Sequence, residues 1–159
     1  MSNERIPMTR EGYEKLKADL DRMQHTEMIE IAKRIASARE MGDLSENAEY
    51  HAAREDQGHL QARIDHLKDK LSRAYFIDTN NLPKDVIVFG ACVRVKDLDL
   101  EEEEQYILVG PGEENYNENK ILTTSPIGQG LLGKKIGEVV EIQVPMGTIR
   151  FEILEITIP

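Results

Sequence analysis

The chain has no tryptophan, three phenylalanines and one cysteine among 159 residues. With so few large aromatics, a core must be built mainly from Leu, Ile, Val and Ala. That suits helix pairs and small sheets better than a deep ligand pocket, and it disfavours an enzyme with its own buried substrate site. A single cysteine excludes disulfides and cysteine-based metal sites within one chain. Cys92 lies in the alternating run Val86-Ile87-Val88-Phe89-Gly90-Ala91-Cys92-Val93-Arg94-Val95 and is expected to be a packed strand thiol. No window approaches the roughly 20 apolar residues of a membrane span, and the opening residues lack the apolar stretch of a signal peptide, so a cytoplasmic protein is expected.

Basic charge is also scarce, and unevenly so. The net charge is −10. Residues 1–75 carry 13 basic and 15 acidic groups, and residues 76–159 carry 7 and 15. Phosphate repulsion opposes nucleic-acid binding over the whole surface of such a chain, so any contact must be local or brought about by a protein partner.

What is present is helical periodicity. Thr9 reads as an N-cap with Met8 packing on Tyr13. Apolar positions follow at Tyr13, Leu16, Leu20 and Met23, then at Met28, Ile31, Ile35 and Ala38, each group spaced 3, 4, 3 with a one-residue slip between them. A helix of roughly 30 residues, on the order of 45 Å, is expected to run to Gly42 with a local change of winding at the slip. Beyond Gly42-Asp43-Leu44-Ser45, the positions Tyr50, Ala53, Gln57, Leu60, Ile64, Leu67, Leu71 and Ala74 form an unbroken heptad seam. Two long amphipathic helices joined this closely must lie antiparallel, which predicts an antiparallel coiled-coil hairpin over residues 1–77.

After Phe76 the pattern alternates, with a boundary expected near residues 78–84 and a second domain over 84–159. Strands are expected at Val86–Val95, Gln105–Val109, Lys120–Thr123, Glu138–Val144 and Thr148–Ile156, with Pro145-Met146-Gly147 closing a hairpin. A short helix at Pro126–Leu132 would take Ser125 as its N-cap. The fold class is therefore α+β. Gly128, Gly130 and Gly133 make a GxGxxG with Glu152 beyond it, but too little chain follows for a dinucleotide-binding unit, and the glycines read as serving a short helix and turns. His59 and His66 lie two helical turns apart, too far to share one zinc ion, and with His51 read as solvated helix surface. The run Glu101 to Glu104 reads as a solvated turn.

The hairpin tip carries the candidate chemistry. Asp43-Leu44-Ser45-Glu46 fits a capping arrangement, with Asp43 accepting from the first amides of the second helix and Glu46 reaching back. Two adjacent carboxylates at the most distal point of a hairpin also suit Mg²⁺, which takes one or two protein carboxylates and completes its shell from water and phosphate. Arg39 and Arg54 flank the tip. Either they pair with neighbours such as Glu40 and Glu55, or they form a cationic patch that positions a phosphate backbone.

The segment from Ala38-Arg39-Glu40-Met41-Gly42-Asp43 through Leu44-Ser45-Glu46-Asn47-Ala48-Glu49-Tyr50 to His51-Ala52-Ala53-Arg54-Glu55 resembles the tip signature of the bacterial transcript cleavage factors, the Gre family, GreA type. The resemblance extends to Ile6-Pro7-Met8-Thr9, to Phe89-Gly90-Ala91, and to Ser125-Pro126-Ile127 with Gly130-Leu131 and Gly133-Lys134. It implies a coiled coil that enters the secondary channel of RNA polymerase and an FKBP-like C-terminal domain at the channel rim, where Leu122, Ser125, Pro126 and Ile127 would dock. Asp43 and Glu46 match the family's two acids, which help hold a second Mg²⁺ in the polymerase active site and activate the water that cuts the nascent RNA 3′ end. Arg39 and Arg54 match its RNA-binding basic patch. The resemblance thus implies an accessory factor, a monomer with no cofactor of its own, rather than an enzyme. Ser45 departs from the lysine common at its position. Alternatives are a Gre-like channel inhibitor, which would carry a more acidic tip, a peptidyl-prolyl isomerase, and a coiled-coil adaptor whose acids only cap a helix.

Overall fold

Thr9 starts the first helix as expected: its Oγ1 accepts from the amide of Gly12 at 3.0 Å, and Met8 before it is fully buried. In the computed structural model, which describes residues 4–78 and 82–159, β1 (Ile6–Met8) leads into α1 (Arg10–Arg22). A π-helical segment (Met23–Glu27) and α2 (Met28–Arg39) continue it. A 3₁₀ turn (Leu44–Glu46) precedes α3 (Ala48–Ser72), and β2 (Ala74–Phe76) follows.

The seam falls where the periodicity puts it. Ile35 and Ala38 are buried on α2, facing Ala53, Leu60, Ile64 and Leu67 buried on α3. The step from Met23 to Met28 coincides with the π segment. Its wider turn takes up one extra residue between Met23 and Met28, so that α2 meets α3 in phase. Deleting Thr26 should let this segment close into ordinary α-helix and restore 3, 4, 3, 4 spacing, leaving the melting temperature near that of the parent. Deleting Arg63 from α3, where no slack exists, turns one side of the seam by ~100° and should cost most of the cooperative helical melt. Circular dichroism melts of the two deletions check this, and similar losses in both would show that the π segment absorbs nothing.

Two short strands were not anticipated. Ala74, expected to extend the α3 seam, instead opens β2, which pairs with β1. The Ile6 amide donates to the Arg73 carbonyl at 2.8 Å, which ends the helix.

By packing, Tyr13–Tyr75 with the chain before Pro7 makes one unit, and Pro7–Gly12 with Phe76–Pro159 makes the other. Part of the expected boundary, residues 79–81, lies outside the described residues. The second unit holds a five-stranded sheet in the order β5-β4-β3-β7-β6. Its strands are β3 (Cys92–Asp97), β4 (Glu102–Val109), β5 (Lys120–Leu122), β6 (Val139–Val144) and β7 (Gly147–Thr157). Only the β4–β5 pair is parallel. One short helix, α4 (Pro126–Leu131), packs on this sheet. Its core is Ile87, Val93, Val95, Leu108, Leu131, Phe151 and Ile153, each at most 1% exposed, and burying such a side chain contributes about 1.5–3 kcal/mol.

Two strand expectations are corrected. Val86–Val95 is not one strand: a turn closed by Ala91 N donating to Val88 O breaks it, and β3 begins at Cys92. Glu101–Glu104 is not only a turn. Glu102–Glu104 belong to β4, with Glu103 opposite Lys96 and within 3.5 Å of Arg94, cross-strand cations that offset the acidic run. Cys92 is buried as expected and accepts from Gln105 Nε2 at 2.6 Å.

Candidate functional site: the hairpin tip

The reversal between α2 and α3 begins at Gly42, whose φ of +121° is a conformation that side chains with a Cβ rarely adopt. Asp43 follows, and its Oδ1 accepts from both the amide of Ser45 at 2.9 Å and the Ser45 hydroxyl at 2.8 Å. This Asx turn nucleates the 3₁₀ turn and corrects one expectation. Asp43 does not cap the long second helix; Asn47 does, its side chain accepting from the Tyr50 amide at 3.0 Å. The extra turn of Leu44–Glu46 places Asp43 too early in the chain to reach the first amides of α3. Glu46 does not reach back, and its carboxylate makes no hydrogen bond or ion pair among the described residues.

Both acids are exposed and line one shallow hollow with Met41, Asn47, Ala48 and Glu49. As hard oxygen donors, with Asp43 Oδ2 and both Glu46 oxygens free of protein partners, they fit a partial ligand set for Mg²⁺. Among the described residues no cluster of three or more His, Cys, Asp or Glu could hold a metal unaided. Any ion here needs ligands from elsewhere.

The Ser45 amide, then its hydroxyl, hold the Asp43 carboxyl below the ordinary carboxylate range. With the folded value depressed, the turn's contribution to stability is complete above the unfolded value and is lost as pH falls through the folded one. Ser45→Ala removes the hydroxyl bond and keeps the amide bond. The Asp43 midpoint should then rise part of the way to the ordinary value, as read by carbon NMR of its carboxyl. An unchanged midpoint would remove the hydroxyl from this account.

The flanking cations are not neutralised by Glu40 or Glu55. The Arg39 guanidinium lies 5.7 Å from the centre of the Tyr50 ring, and Arg54 donates to Gln57 at 3.2 Å. Glu55 instead faces His59 at 3.5 Å. In the second unit, Leu122, Ser125, Pro126 and Ile127 come together at the β5–α4 turn. Ser125 Oγ accepts from Gly128 N at 3.1 Å and donates to Leu122 O at 2.7 Å, capping α4 as expected. Pro126 is exposed, whereas Ile127 packs against the core. A Cβ on Gly128 would stand 2.2 Å from the Leu122 carbonyl oxygen, so this glycine serves close packing of the turn.

Sequence reasoning missed Asn47 and the exposed apolar pair Met41 and Leu44, 74% and 39% exposed beside the acids. The signal for Asn47 was present: an Asn directly before Ala48-Glu49-Tyr50 is an N-cap pattern, hidden by the D-x-x-E one register earlier.

Comparison with known proteins agrees over nearly the full length. Residues 6–75 match the model for the N-terminal domain of the transcription elongation factors, and residues 82–158 match that for the GreA/GreB C-terminal domain. Transcription elongation factor GreA of Thermodesulfovibrio yellowstonii is 53% identical over 97% of this chain and 98% of that protein. The GreA of Thermosipho africanus is 49% identical over 99% and 100%. Among solved structures, GreA factor homolog 1 of Thermus thermophilus is 30% identical over 97% of this chain and 99% of its own, with a TM-score of 0.45. With both halves matched by models of one family, and relatives about half identical from end to end, the chain belongs to the GreA/GreB family of transcription elongation factors.

Proposed function

We propose that this elongation factor inserts its helical tip into the secondary channel of bacterial RNA polymerase and stimulates the polymerase's own cleavage of the nascent RNA 3′ end in backtracked complexes. The observation that carries the reading is the pair Asp43 and Glu46, two exposed carboxylates lining one hollow at the chain reversal with oxygens free of protein partners. A Mg²⁺ bound there would be the second ion beside one held by the polymerase, so that one ion serves the attacking oxygen and the other the leaving oxygen of a phosphodiester. Asp43, held ionised by Ser45, and Glu46 would supply two of its ligands. Glu46 can also accept a hydrogen bond from water and orient it. Arg39, steadied over Tyr50, and Arg54 would hold the phosphates of the extruded RNA behind the acids. The Leu122–Ile127 turn would dock at the channel rim.

Two exposed carboxylates leave most of a Mg²⁺ shell to other donors, so the chain acts as an accessory to polymerase chemistry rather than as a nuclease. On this reading it works beside the polymerase in the cytoplasm, as a monomer, with no cofactor of its own. The test is a halted bacterial elongation complex carrying 3′-labelled RNA and Mg²⁺. Adding the chain should release short labelled fragments, and the chain with RNA alone should release none. Absence of fragments with the complex, or cleavage of free RNA, overturns the reading.

A further inference from the structure

We propose that Asn47 is the positioning residue of the tip: one amide side chain locks the end of α2 to the start of α3 and so sets where Asp43 and Glu46 are presented. The inference rests on the cleavage reading for its functional consequence, but the lock itself is a property of the free chain. Asn47 works with both ends of its amide. Its Oδ1 accepts from the Tyr50 amide at 3.0 Å, the N-cap of α3, while its Nδ2 donates to the carbonyl of Ala38 at 2.6 Å. Ala38 is buried, and the same carbonyl accepts from Met41 N at 3.1 Å, so the last turn of α2 closes on this point.

The bonds that shape the acid turn are internal to it. Ser45 N and Oγ bond Asp43 Oδ1, and Glu46 N donates to Asp43 O at 3.4 Å. They fix the backbone of the turn and the Asp43 side chain within it, but not the turn relative to the helices. On the α2 side the turn is attached through Gly42, around which an added Cβ would meet nothing within 4 Å. Among the described residues, Asn47 Nδ2 to Ala38 O is the one hydrogen bond that crosses from residues 38–42 to residues 47–50. Tyr50, whose amide Asn47 caps, also carries Arg39 over its ring, so cation and acids share one anchor. Glu46 is adjacent to Asn47 in the chain, and any loosening of the lock reaches its carboxylate directly. Losing a group that orients metal ligands typically costs 10–100-fold in affinity or activity.

Asn47→Asp and Asn47→Ser keep an acceptor for the Tyr50 amide, and with it the cap, but lack the donor that reaches Ala38. Both should melt within a few degrees of the parent, the cost of the one lost hydrogen bond, and half-saturate the halted polymerase at the parent's concentration. In the free protein, nuclear Overhauser contacts between residues 38–41 and 47–50 should weaken, and the maximal cleavage rate should fall about 10–100-fold. Asn47→Ala should in addition lower the melting temperature. Parental cleavage by Asn47→Asp and Asn47→Ser, or retained contacts, would overturn the assignment. Loss of cleavage only in step with polymerase affinity or melting would overturn it in favour of a simple cap. A parent chain that releases no fragments defeats the cleavage reading instead, and the free-protein contacts still decide the lock.

Discussion

Asp43→Asn and Glu46→Gln should each reduce stimulated RNA cleavage by on the order of 100-fold or more, the usual cost of removing one preorganised charge partner of a transition state. The concentration that half-saturates the polymerase should stay unchanged. Each substitution preserves shape and removes charge. In Asp43→Asn the amide oxygen still accepts from Ser45 N, so the turn persists while the free oxygen Oδ2 is replaced by a donor that repels a cation. Glu46 has no protein partner to lose, so Glu46→Gln should leave the melting temperature of the free chain untouched. This separation of rate from affinity and stability is the mark of groups that act only on the reacting centre. Full cleavage by both variants would reject the role and return the acids to local turn chemistry.

Phe151→Ala should destabilise the sheet unit by about 3–5 kcal/mol. Phe151 is 1% exposed and is foremost by volume among the fully buried side chains. It sits on β7 between Asp97 of β3 and Val140 of β6, with its ring 6.0 Å from that of Tyr106. Removing it opens a cavity bounded by three strands that cannot all collapse inward. For a unit of this size the loss corresponds to a fall in melting temperature on the order of 20 °C. Met146→Ala, at a position 99% exposed on the β6–β7 turn, should change stability by less than about 0.5 kcal/mol. Urea unfolding of both variants checks the contrast, and a Phe151→Ala loss under about 1 kcal/mol would place the core elsewhere.

Much of the hairpin was legible because a seam repeats. Tyr50 to Leu71 recurs without a miss, and even the slip between Met23 and Met28 could be located, although periodicity alone did not identify it as a π segment rather than another kind of skip. Strands β1 and β2 were not legible, since three residues are too few to show an alternation. The acidic run, solvated as expected, was misjudged as a turn because its ion-pair partner Arg94 is a cross-strand neighbour that only the β3–β4 register brings near. At the tip the two acids stood out by type and position. The group that caps α3 did not, because Asp43 and Glu46 fit the same capping pattern and the intervening 3₁₀ turn leaves no periodic trace.

The Asx turn bears on which cation the tip can discriminate. Both Ser45 donors converge on Oδ1 of Asp43, leaving only Oδ2 open. An ion held there as proposed would meet Asp43 through one oxygen unless the turn is undone. Ca²⁺ readily takes both oxygens of a carboxylate into a loose shell of 6–8 ligands, whereas Mg²⁺ requires near-octahedral single contacts and keeps its waters. On the cleavage reading, the Ser45 hydroxyl would thus act on the acids by helping to occupy one oxygen of Asp43, and through denticity it would favour the smaller ion.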